Sequence, residues 1–129
     1  MGKIVPEDLI PPAPVLSVDE ALKTFTIEKG FVIEPVAAEP LVDKPVALTF
    51  DPSGRMWVCE MRGYMPDIDG KLENRATGRI AILEDTNGDG KVDKRTTFLD
   101  KIVLPRAISL VSGGILYGDQ DNLYFVARD

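Results

Sequence analysis

Residues 85–93 read Asp-Thr-Asn-Gly-Asp-Gly-Lys-Val-Asp, which matches the D-x-[DN]-x-[DN]-G pattern of a calcium loop. Calcium is a hard cation that takes six to eight oxygens at about 2.3–2.6 Å. Alternate positions place the side-chain oxygens of Asp85, Asn87 and Asp89 inside one tight turn, and Gly90 permits the bend. The carbonyl of Lys91 then points inward, and Asp93 binds directly or through water. The predicted metal ligands are therefore Asp85, Asn87, Asp89, Lys91 and Asp93. A solvated Asn-Gly/Asp-Gly hairpin turn uses the same residues for their positive φ angles and is the competing reading. Four oxygen-bearing side chains at alternate positions exceed what such a turn needs.

The loop departs from the EF-hand in two ways. Its twelfth position, a bidentate Glu in that motif, is Thr96, and its flanks read as strands rather than helices. The expectation is a calcium loop on a β-hairpin, weaker than a sensor site and suited to structural use at high external calcium.

Other chemistries are narrowed by composition. The chain has no histidine, which removes the usual general base, metal ligand and haem ligand. A single cysteine, Cys59, forms neither an internal disulfide nor a zinc site. It follows Met56-Trp57-Val58 and reads as a small buried hydrophobe. A net charge of −6 without a basic stripe argues against nucleic acid, whose affinity comes from Lys and Arg displacing counterions. No stretch is apolar enough to span a bilayer, and the N-terminus lacks the apolar core of a signal peptide. With 129 residues, 44% of them hydrophobic, the chain can bury the core of one soluble domain.

The elements that position the loop are short strands. Pro6, Pro11, Pro12 and Pro14 predict an extended N-terminal arm. Ser17 and Glu20 form a capping box that predicts a helix over 18–25, with Ala21, Leu22 and Phe25 as its apolar stripe. Residues 31–36 are β-rich, with Pro35 limiting them to an edge or irregular strand. Strands at 46–50 and 55–60 flank Asp51-Pro52-Ser53-Gly54, a hairpin turn. Further strands are expected at 78–84 and 94–99, around the calcium loop, and then at 107–111, 115–117 and 123–126.

Strand–turn–strand at 46–60 resembles strand–turn–strand at 107–118. The predicted fold is all-β, built from antiparallel four-stranded blades of a partial β-propeller. A Pro-rich arm and short helix occupy 1–29, and about two blades occupy 30–129. An antiparallel sandwich is the competing architecture.

Several segments together carry a family resemblance: Ala38-Glu39-Pro40-Leu41-Val42, Phe50-Asp51-Pro52-Ser53-Gly54-Arg55-Met56-Trp57-Val58, Glu60-Met61-Arg62-Gly63-Tyr64-Met65-Pro66-Asp67, the Leu83–Gly90 stretch and Leu104-Pro105-Arg106-Ala107. They resemble the N-terminal part of the membrane-bound dehydrogenase propellers of planctomycetes and verrucomicrobia, which are similar to quinoprotein glucose and sorbosone dehydrogenases. The resemblance implies a periplasmic or extracellular oxidoreductase acting on sugars or alcohols, with calcium and pyrroloquinoline quinone as cofactors. It implies that this chain is an N-terminal fragment, inactive alone. A calcium-stabilised extracellular binding module without catalysis is the alternative.

In a propeller blade, the loop after the second strand and the loop after the fourth emerge on one face. That places Arg62, Tyr64, Asp67 and Arg106 at the channel mouth, where the arginines could hold a quinone carboxylate or an acidic sugar. The competing reading is a solvated loop in which Arg62 and Arg106 pair with nearby acids. No residue is assigned a catalytic role. An incomplete second sheet is expected to leave open edges through which copies of the chain associate.

Overall fold

The computed structural model describes residue 9 and residues 12–128, in two compact units, Met1–Pro35 and Val36–Asp129. In the first unit a single helical turn, α1 (Val18–Leu22), is capped as expected: the Glu20 amide donates to Ser17 Oγ at 3.3 Å, and the Ser17 amide donates to Glu20 Oε2 at 2.9 Å. It stops short of residue 25. Thr24 turns its hydroxyl onto the Ala21 carbonyl at 2.7 Å, a local bond that competes with helix continuation. Phe25 lies beyond the helix and is exposed. Residues 31–36 form no strand; Pro35 offers no amide, and Phe31 and Val32 are exposed rather than packed on a pleated face. Pro6 and Pro11 of the proposed arm lie outside the described residues, and Pro12 and Pro14 belong to an exposed stretch without regular structure.

The second unit is mostly β. Its described residues form seven strands in two antiparallel sheets, in simple sequence order. The first sheet is β1 (Pro45–Phe50), β2 (Met56–Glu60), β3 (Gly78–Glu84) and β4 (Lys94–Ile102); the second is β5 (Ala107–Val111), β6 (Gly114–Gly118) and β7 (Leu123–Ala127). The turns foreseen between these runs are where the chain reverses. Gly54, at φ 81°, closes the Asp-Pro-Ser-Gly turn by donating its amide to the Asp51 carbonyl at 2.9 Å.

Period-two alternation gives the first sheet two buried faces. Trp57, Cys59, Ile80 and Ile82 point one way and meet Ile115 and Tyr117 of the second sheet, forming the main core. Val58, Ala81 and Leu83 point the other way, under Ala37, Leu41 and Val42 and against Val92. The link from β4 to β5 is tight: a Cβ at Gly78 would overlap the Pro105 ring and the Ile102 carbonyl. Among the described residues β7 pairs with β6 alone, and it carries exposed Leu123 and Phe125.

Candidate calcium loop and an arginine-lined cleft

The candidate calcium-loop residues join β3 to β4, as the hairpin reading requires. The Asp93 amide donates to the Glu84 carbonyl at 3.0 Å, and Lys94 Nζ pairs with Glu84 Oε2 at 2.8 Å. Asp85 is the centre of the turn. Its Oδ1 accepts from the amides of Gly88 at 2.7 Å and Asp89 at 3.3 Å, and its Oδ2 from Gly90 at 2.8 Å. The Gly90 amide is the main cause that holds the Asp85 carboxyl below its ordinary range; slight burial opposes it, and the Gly88 amide adds to it. Gly88 and Gly90 adopt φ of 78° and 86°, a conformation open to glycine and costly for other residues.

Asn87 Oδ1 accepts from the Asp89 amide and Asp89 Oδ1 from the Lys91 amide, both at 2.9 Å. Asp93 turns to Thr86, whose hydroxyl reaches its carboxylate at 2.8 Å. Val92 anchors the loop: it is buried, and its amide donates to the Val36 carbonyl at 2.8 Å. The donor set is all oxygen, which suits a hard cation. Among the described residues no three acidic, histidine or cysteine side chains converge closely enough to hold a metal. Backbone amides, rather than neighbouring carboxylates, surround Asp85.

The loop-face residues are dispersed. Arg62 Nε donates to Asp43 Oδ2 at 2.8 Å. Asp67 caps its own turn, accepting from the Asp69 amide at 3.0 Å and the Lys71 amide at 3.2 Å. Tyr64 is half-exposed, and Arg106 is exposed, with its amide donating to the Gly118 carbonyl at 2.8 Å. Arg62 lines a small cleft of about 240 Å³ with Gly63, Pro66, Leu72 and Arg75, and neither Tyr64, Asp67 nor Arg106 is part of its wall.

An ion cluster that sequence reasoning missed lies on the same side of the first sheet as Val58 and Ala81. Glu60 is fully buried. Its Oε1 accepts from the Asp43 amide at 2.8 Å, its Oε2 pairs with Arg79 Nε, and Arg95 Nη2 lies 3.9 Å from Oε2. Glu60 and Arg79 are cross-strand partners in the β2–β3 register. Charged residues interrupting the apolar alternation of two adjacent strands were the signal, readable once the register is known. Cys59, fully buried, sits 3.6 Å from the Ala107 carbonyl, and burial pushes its thiol up to about 11.

A family model described as a domain of unknown function (DUF7133) matches residues 17–129. The chain belongs to this family. No curated protein and no solved structure matches it.

Proposed function

We propose that this chain supplies consecutive blades of an exported, quinoprotein-like dehydrogenase propeller, with residues 85–93 as a structural calcium site. The observation that supports it is the meander order of both sheets together with their face-to-face packing through Trp57, Ile80, Ile115 and Tyr117. Blades of a propeller are successive antiparallel sheets of this kind. In this reading Asp85, Asn87, Asp89, the Lys91 carbonyl and Asp93 hold the ion. Calcium there acts structurally, by joining oxygen ligands spaced along the β3–β4 turn.

Pyrroloquinoline quinone and a sugar or alcohol substrate belong to the whole propeller in this reading. Arg62 is engaged by Asp43, and Tyr64, Asp67 and Arg106 share no cleft with it, so this chain by itself offers the quinone no common cradle. That dispersal favours a second reading, a calcium-stabilised extracellular binding module without catalysis. Dye reduction with pyrroloquinoline quinone, calcium and a panel of sugars separates them when run on the chain and on a longer protein containing it. Turnover by the longer protein, with none from the chain alone, supports the dehydrogenase reading. Absence of both turnover and quinone binding in the longer protein supports the binding module.

A further inference from the structure

Beside the Glu60 cluster is a second cleft of about 410 Å³, lined by Glu39, Pro40, Asp43, Arg62, Arg79 and Arg95. Its cations are unequally matched. Arg62 has Asp43 and Arg79 has Glu60, each through Nε. Arg95 has neither. Its Nη2 donates to Thr97 Oγ1 at 3.2 Å, but Glu60 at 3.9 Å is beyond hydrogen-bond reach and is already occupied on both oxygens. Arg95 Nε is buried with no hydrogen-bond partner among the described residues.

A buried cationic donor without an acceptor is costly. Arg79 feels its neighbour too: burial chiefly, then the charge of Arg95, lowers its affinity for its proton, and Asp43 opposes them. An anion entering the cleft would lie beside both guanidiniums. We propose that this cleft binds a hydroxylated carboxylate of sugar-acid size, its carboxylate taken by Arg95 and Arg79 and its hydroxyls by Asp43 and Glu39. The guanidinium fork matches a planar carboxylate. Phosphate is the poorer fit, because a dianion would face the carboxylates of Glu39, Asp43 and Glu60, whereas sugar hydroxyls can donate to the first two.

The cleft is independent of both the calcium loop and the propeller reading, so the test is run in chelator. Glucuronate, glucose and inorganic phosphate are titrated into the chain by calorimetry. Glucuronate is expected to bind, glucose not at all, and phosphate at least tenfold more weakly, the discrimination of one charge-assisted hydrogen bond. Arg95→Met should weaken glucuronate by about tenfold or more, while Lys71→Gln, exposed and outside the cleft, leaves it unchanged. Should Arg95→Met fail to fold, Glu39→Ala at the exposed lip decides, with several-fold weaker glucuronate binding expected. No glucuronate binding by the wild type, phosphate binding as tight, or full binding by a folded Arg95→Met or Glu39→Ala overturns the proposal.

Discussion

The indole Nε1 of Trp57 donates to Asp51 Oδ2 at 3.1 Å, tying the first hairpin turn to the main core. The same carboxylate accepts from Arg55 Nε at 2.7 Å and from the amides of Ser53 at 2.9 Å and Arg55 at 3.1 Å. Asp51 therefore holds both the turn and the largest core side chain, although it is almost entirely buried.

Removing that carboxylate should destabilise the fold. Asp51→Ala leaves the buried indole N–H and two turn amides without their acceptor, and hydrogen bonds to a charged group are worth about 1.5–3 kcal/mol each. Urea unfolding should show a loss of about 3 kcal/mol. A loss below about 1 kcal/mol would mean that water or Arg55 replaces the carboxylate.

Acid should act through the same residue. Burial pushes the Asp51 carboxyl up, but the donors from Trp57 and Arg55 outweigh it and hold it at about 2. Its folded value is thus below the ordinary unfolded value of about 3.9. The stability it contributes is present above that unfolded value and is lost as pH falls towards 2. Melting temperatures measured across this window should fall in the wild type and be flatter in Asp51→Asn.

Calcium should raise the melting temperature by several degrees over chelator. A ligand bound by the folded state alone stabilises it by about 2.7 kcal/mol at a hundredfold excess over its dissociation constant. The variant Asp85→Ala with Asp89→Ala removes the difference. Asp85 also accepts the amides of Gly88, Asp89 and Gly90, so the variant is less stable in chelator as well. The readout is the calcium increment, and identical wild-type curves with and without calcium would end the metal reading.

Glu60 is expected to be intolerant of truncation. Glu60→Ala strands Arg79, leaves Arg95 without its nearest counter-charge, and deprives the Asp43 amide of its acceptor. Breaking one side of a buried pair costs about 3–5 kcal/mol. Chemical denaturation of Glu60→Ala against Arg79→Met would separate the two sides of the pair; equal stability of Glu60→Ala and wild type would show that the cluster is hydrated.

Association should proceed through β7, whose outer edge has no strand partner among the described residues and whose Leu123 and Phe125 are exposed. Light scattering at micromolar concentration should give a mass above that of a monomer, reduced by Phe125→Lys. A monomeric mass with protected amides throughout 107–126 would count against it.

The hairpins were legible because glycine and Asx residues mark the reversals: Asp51-Pro52-Ser53-Gly54, the loop from Asp85, and Ser112-Gly113 fall between strands, and Gly114 opens β6. Residues 31–36 misled, because β-propensity describes fit to a pleated, half-buried surface and this stretch has no such neighbour. β4 runs on to Ile102 through Asp100 and Lys101, two charges that conceal its end. The Glu60–Arg79–Arg95 cluster was hidden for a different reason. Its members are separated by 19 and 16 residues in the chain, and strand register alone brings them together.

Cys59 is sealed between the two sheets, with Ala107 of β5 against its sulfur. Its thiol is pushed up to about 11, so thiolate is scarce at neutral pH and alkylation in the closed state is negligible. A maleimide or disulfide reagent can reach the sulfur once β5 lifts away from β2. The rate of labelling therefore reports how often the two sheets part, and the native sequence already contains its own probe of that opening.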